Sequence, residues 1–200
     1  MKNSVLLACL LLLLALAPAV FAQSGDIAFG ASGLIAAKPS SFDINSGNFF
    51  APTMGGGTYL GFTGDFLLKH HLGVEGEVQW RAHQNLYQGY QPYRPLFFDF
   101  GGIWASRFGK YFGAELTAGI GASSTRFYTG YETCSFVSCT DYTSSNHFMG
   151  AFGGGIKLYP TKNIFIRPEL RYYAIHNNVE FAGNNAIRAG ISIGYTFGGD

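Results

Sequence analysis

Leu72-Gly73-Val74-Glu75-Gly76-Glu77-Val78-Gln79-Trp80-Arg81-Ala82-His83 is the stretch that decides the fold. Its even positions, from Leu72 through Val74, Val78 and Trp80 to Ala82, are apolar or small. Its odd positions hold Glu75, Glu77, Gln79, Arg81 and His83. Such a period of two belongs to a strand with one apolar and one polar face, because a helix would scatter both sets around its axis.

The same alternation recurs along the chain. Phe112, Ala114, Leu116, Ala118 and Ile120 oppose Gly113, Glu115, Thr117, Gly119 and Gly121. Ile164, Ile166, Leu170 and Tyr172 oppose Phe165, Arg167, Glu169 and Arg171, and Ile187 to Phe197 opposes Arg188, Gly190, Ser192, Gly194 and Thr196. Weaker versions cover roughly 26–36, 55–65, 95–106 and 147–158. This makes about eight strands of the length that a tilted membrane strand needs. Long polar connections near 37–53, 84–94, 125–146 and 176–185 alternate with short ones near 66–71, 107–111 and 159–163. That rhythm predicts an all-β, closed, eight-stranded antiparallel up-and-down transmembrane β-barrel.

Composition agrees. The 200 residues are 12% charged and include 28 glycines, against about 25% and about 7% in an ordinary soluble domain. Mean hydropathy is only +0.13, too low for a bundle of membrane helices. A net charge of +1 argues against a nucleic-acid partner. The orientation of the faces follows from their chemistry. A soluble barrel would show water a surface of Gly, Ser and Thr, whereas lipid tolerates only a closed sheet with its apolar face outward. The small residues then fit the narrow lumen.

Residues 1–22 read as an export signal: Lys2, an apolar run from Val5 to Leu16, Pro18, and small residues before a cut after Ala22. The barrel domain is then 23–200, exported to the bacterial outer membrane, with outer-membrane lipid and lipopolysaccharide as its surroundings. The mature chain keeps Cys134 and Cys139, five residues apart in the longest loop. An oxidising compartment makes a loop disulfide the expected state. Aromatics near the strand ends, including Phe66, Phe108, Tyr111, Phe112, Tyr159, Phe165, Tyr93, Phe97, Phe127 and Phe148, are expected in two interfacial belts. Pro168 falls mid-strand, where a bulge, or a start of pairing after it, is expected.

The inward face collects Glu75, Glu77, Arg81, Asp99, Glu115, Lys157, Arg167, Glu169, Arg171 and Arg188. Charges in so dry a space must pair, so these residues are the candidate lumen ion-pair network. No Ser/His/acid spacing and no ligand set around His70 and His71 is evident, so no catalytic residue, metal or cofactor is expected.

The chain resembles the small eight-stranded outer-membrane barrels of the OmpA, OmpX and OmpW type. The resemblance rests on Gly153 to Tyr159, Ile166 to Tyr173 and Gly190 to Phe197. It implies that the final aromatic, Phe197 with Tyr195 before it, is read by the barrel-assembly machinery. Ser192 replaces a usual glycine, and Gly198 to Asp200 extend past the aromatic. The function implied is a non-enzymatic, porin-like envelope barrel, structural or weakly permeable to small solutes. A surface adhesin binding an extracellular ligand through its long loops is the alternative, and a lipid-modifying enzyme a lower one.

Overall fold

A computed structural model describes residues 24–36, 54–69, 71–87, 89–134, 139–178, 180–181 and 183–198. The predicted export signal, the 37–53 connection, His70 and the last two residues lie outside them. Among the described residues there are nine strands and no helix: β1 Ser24–Ala36, β2 Thr58–Lys69, β3 Leu72–Arg81, β4 Asn85–Tyr87, β5 Gln91–Phe108, β6 Phe112–Cys134, β7 Cys139–Leu158, β8 Ile164–Ile175 and β9 Asn185–Gly198.

Every pairing is antiparallel. The ladder runs from β3 through β2, β1, β9, β8, β7 and β6 to β5, and β3 then pairs with β5. That last pairing, Leu72↔Trp104 through Trp80↔Leu96, closes the sheet into an eight-stave barrel. Closure leaves the wall without a free edge, the condition for a sheet in hydrocarbon. β4 is a short extra that hairpins onto Gln91–Tyr93. Where β3 stops, Arg94 donates from Nε to the Arg81 carbonyl at 2.8 Å and from Nη2 to the Ala82 carbonyl at 2.7 Å. Its fork takes over acceptors that the ladder no longer serves.

The alternation sorts side chains as the sequence predicts. Ile27, Phe29, Phe62, Phe100, Leu116, Ile120, Phe152, Leu170, Ile191 and Ile193 point outward and stay exposed, while Glu75, Glu77, Asp99, Glu115, Arg167, Arg171 and Arg188 are buried. Inward glycines on β5 and β6 let the two strands curve together. A Cβ at Gly121 would collide with the Phe98 carbonyl, and one at Gly101 with the Ala118 carbonyl.

Four expectations change. The 125–146 connection is mostly strand, because β6 and β7 pair on to Cys134↔Cys139, with one irregularity between Tyr128 and Thr133. β5 pairs with β6 only as far as Phe127, and β8 with β7 only as far as Met149, so the hairpin rises above both neighbours. Its sequence is polar because both faces leave the membrane, and it was that polarity that read as loop. The 84–94 connection likewise contains β4. Pro168 makes no bulge, and pairing does not wait for it: β8 pairs with β9 in unbroken register from Ile164 to Ala174. The ladder with β7 instead skips from Gly155↔Glu169 to Leu158↔Ile166, which puts the gap beside the residue that has no N–H. Finally, Tyr93, Phe97, Phe127, Tyr159 and Phe165 are buried and leave the belts. Each has inward parity, and that outweighs nearness to a strand end.

The facing of the wall has a direct check. Ile191 sits between Ala31 and Pro168 and is 55% exposed. Ile191→Arg is expected to lower unfolding stability in lipid vesicles by about 2–4 kcal/mol, the midplane value for a lipid-facing arginine, as read by urea titration. An unchanged midpoint would place that face in water.

Candidate functional site

The lumen is filled in three layers. At the short-turn end Phe165 packs on Tyr159, with ring centroids 5.8 Å apart, and Ala28 completes this small cluster. Lys157 lies over the Phe165 ring at 4.9 Å.

Above it begins a connected chain of ion pairs. Lys157 Nζ reaches Asp26 at 2.5 Å, Glu115 at 2.7 Å and Asp65 at 3.4 Å. Arg167 bridges Glu115 at 2.8 Å and Glu169 at 2.9 Å, and donates to Thr63 at 3.0 Å and from Nε to Ser192 at 3.1 Å. Glu169 passes the chain to Arg188 at 2.9 Å, which holds Glu77 at 2.8 Å. Arg171 then joins Glu77 at 3.5 Å, Asp99 at 2.9 Å and Glu75, while the Tyr173 hydroxyl donates to Glu77 at 3.0 Å.

All eight staves contribute to this network. Acids come from β1, β2, β3, β5 and β6, and every cation comes from β7, β8 or β9. Glu169 on β8 is the one carboxylate on the cationic side. Seven carboxylates face four cations, and Asp65, Glu75 and Asp99 each keep one oxygen without a hydrogen-bond partner.

Nine of the ten network residues named from sequence lie in this chain. Arg81 is placed higher, where Nη1 donates to the Tyr93 hydroxyl at 3.0 Å and the guanidinium lies 5.5 Å from that ring. Asp26 and Asp65 were not among the ten. They sit on two of the four more weakly alternating strands, and inward parity was the only signal that could have found them.

The third layer is aromatic and closes the long-loop end. Tyr59, Tyr93, Phe97, Phe127, Tyr173 and Met54 pack together, with Phe97 and Tyr173 stacked at 5.2 Å and nearly parallel. Phe181, from the β8–β9 connection, is 2% exposed and inserts among Tyr87, Tyr93 and Phe127. The neighbouring residue fastens it. The Tyr87 hydroxyl donates to the Glu180 carbonyl at 2.8 Å, and the Glu180 carboxylate meets Ser145 and, at 2.7 Å, His147.

Ser145, His147 and Glu180 are the residue types of a hydrolytic triad, and the sequence reading did not bring them together. Their geometry is a different one. Ser145, at 3.0 Å, and Glu180 share one nitrogen, Nε2, of His147, and Ser145 bonds Glu180 directly. A triad needs nucleophile and acid on opposite ring nitrogens. The cluster is a latch for the Phe181 segment. Of the other histidines, His71 places Nδ1 3.1 Å from the Ala105 carbonyl at a short turn.

Cys134 and Cys139 are joined by a disulfide at the hairpin tip. Glu132 lies beside them, but oxidised sulfurs offer no thiolate to a metal. Tyr195 and Phe197 point outward on β9, half exposed, with ring centroids 4.9 Å apart.

Burial alone would raise the Glu180 pKa, but hydrogen bonds from Ser145 and His147 hold it below the ordinary carboxylate value. A depressed folded-state pKa adds stability that is present above the unfolded value and is lost as pH falls through the folded one. Hydrogen-exchange protection of Glu180 and Phe181, taken relative to the intrinsic rate at each pH, is therefore expected to be high at neutral pH and to fall below the ordinary Glu range. Glu180→Gln should show the low protection at every pH. Equal protection in both proteins would remove the latch.

Residues 7–197 match the family model described as an outer membrane protein beta-barrel domain. Comparison with curated protein sequences finds no match. Among solved structures, the fold is similar to the attachment invasion locus protein Ail of Yersinia pestis, in complex with the heparin analogue sucrose octasulfate, at 12% identity and TM-score 0.56, covering 87% of this chain and 98% of that one. It is also similar to Neisserial surface protein A, at 9% identity and TM-score 0.55, covering 86% and 95%. Pseudomonas aeruginosa OprG follows at 16% identity and TM-score 0.53, covering 89% and 97%.

Proposed function

The chain belongs to the outer membrane protein β-barrel family, and from that premise we propose a non-enzymatic envelope protein whose barrel is sealed to solutes. Its place is the bacterial outer membrane. The observation that carries the reading is the filled lumen: an ion network drawn from all eight staves lies under an aromatic plug. Breaking such a network by removing one partner costs about 3–5 kcal/mol, so thermal opening of a continuous path is rare. The shared nitrogen in the Ser145–His147–Glu180 cluster supports the non-enzymatic part. In this reading residues 1–22 are removed on export, and Tyr195 and Phe197 present the terminal strand to the assembly machinery.

The protruding β6–β7 hairpin favours a second reading, surface binding. It stands above its neighbours and is tied at the tip by Cys134–Cys139. Arg126 braces it over the Tyr142 ring at 4.8 Å. The sulfated ligand in the Ail complex makes a sulfated glycan a reasonable first probe.

Planar-bilayer recording tests the sealed barrel. The wild-type chain is expected to give no discrete ohmic steps, and Arg167→Ala combined with Phe181→Ala is expected to produce them. Stable steps in the wild type would make it a pore. A silent wild type that binds a sulfated glycan, and loses that binding in Cys134→Ser, would assign function to the hairpin.

A further inference from the structure

The register of the wall sets two arginines opposite each other on its outer face. Arg94 on β5 is the cross-strand partner of Arg126 on β6, and Arg126 is in turn the partner of Ser144 on β7. All three have outward parity, because the alternate positions Tyr93, Pro95, Thr125 and Phe127 are buried. Like charges directly opposite each other destabilise a sheet. Among the described residues, no carboxylate pairs with either arginine; their contacts are carbonyls and a ring. Of the acids at this end, Asp141 shares the inward parity of Thr143 and Ser145, Glu132 lies beside the tip disulfide, and Glu180 is held by Ser145 and His147.

Both arginines are nevertheless fixed. Arg94 uses Nε and Nη2 on the Arg81 and Ala82 carbonyls, and the Arg126 guanidinium lies 4.8 Å from the centre of the Tyr142 ring. Carbonyls and a ring orient a guanidinium without carrying a net charge. One cation leans toward β3 and the other toward β7, so the positive charge spreads along one row. In the next row up, Tyr128 faces Tyr142 with ring centroids 6.0 Å apart.

The height of the row identifies what it meets. It lies four residues beyond the row Phe98↔Ala122↔Phe148, whose two rings are 46% and 59% exposed. The row between, Leu96, Ser124 and Asn146, already turns polar. Four residues are about 13 Å along a tilted strand, which clears the hydrocarbon and enters the headgroup layer at the long-loop end. Arginine stems lie along such a wall and reach back to that layer.

We propose that this outward face binds the phosphorylated sugar headgroup of an outer-leaflet glycolipid. Arg94 and Arg126 each take a phosphate, Ser144 bonds the sugar, and the Tyr142 and Tyr128 rings pack against it. Charge-assisted bonds from a guanidinium suit a phosphate. The face looks sideways over lipid and not up into the medium, which selects a lipid headgroup over a soluble anion. The site depends neither on whether the lumen conducts nor on what the hairpin tip binds.

Native mass spectrometry of the full chain in detergent micelles, titrated with bisphosphorylated lipid A, tests it. Saturable binding is expected, tighter than for monophosphorylated lipid A, and retained in excess sucrose octasulfate. Arg126→Gln is expected to weaken it about fivefold or more, through loss of one charge-assisted contact. Lys110→Gln, which removes a cation from the opposite end, should leave it unchanged. Each variant must still shift in mobility between unheated and boiled gel samples, so that a loss reports the site and not the fold. Equal affinity in wild type and Arg126→Gln, or no preference for the second phosphate, would overturn the proposal. Displacement of the lipid by sucrose octasulfate would overturn it in favour of a soluble sulfated glycan.

Discussion

Arg167 is the residue on which the interior turns. Its guanidinium reaches Glu115 on β6, Glu169 on its own strand and Thr63 on β2, while its Nε reaches Ser192 on β9. It does this at 0% exposure, where an unpaired charge would be severely penalised. The constraint spreads from there. Because every cation of this network lies on β7–β9 and all but one of its acids on β1–β6, the two groups of staves need each other to pair most of their buried charges. The two sides satisfy each other only once the sheet has curled and β3 has met β5. Electrostatic pairing and closure of the wall are thus one event seen from inside and from outside.

This division also accounts for the low and balanced charge of the chain. The outer face meets lipid and carries almost none. The inner face carries what the narrow lumen can pair, and the inward glycines Gly153 and Gly155 leave space for the side chains of Arg171 and Arg167 on the adjacent β8. The two ends then differ. The long-loop end is closed by aromatic rings and the latched Phe181, whereas a cavity of 790 Å³ opens at the short-turn end. The molecule is a cup in the axial sense, closed at one end and open at the other.

Most of the wall is legible in the sequence because period two is a local property: the facing of Leu72 to Arg81, or of Ile187 to Phe197, needs no knowledge of the partner strand. The network members on those strands follow from the same parity. What escaped depends on distance. Asp26 and Asp65 meet Lys157 across more than ninety residues, and nothing near them in sequence announces the pairing. Glu180 and Phe181 sit in a connection with no period, so their insertion follows only from the shape of the aromatic layer. Tyr93, Phe97 and Phe165 show two rules in competition. Nearness to a strand end suggested the membrane interface, but inward parity decided the outcome.

The central claim is that ion pairs across the lumen hold the closed barrel. A double-mutant cycle on Arg167 and Glu115 tests it most directly, using Arg167→Met, Glu115→Leu and the pair, with unfolding free energies measured in lipid vesicles. Arg167→Met alone is expected to cost about 3–5 kcal/mol, because it strands buried carboxylates. The pair should lose less than the sum of the single losses by about 1–3 kcal/mol, the range for residues in direct contact. Strictly additive losses, or a negligible loss for Arg167→Met, would contradict the account.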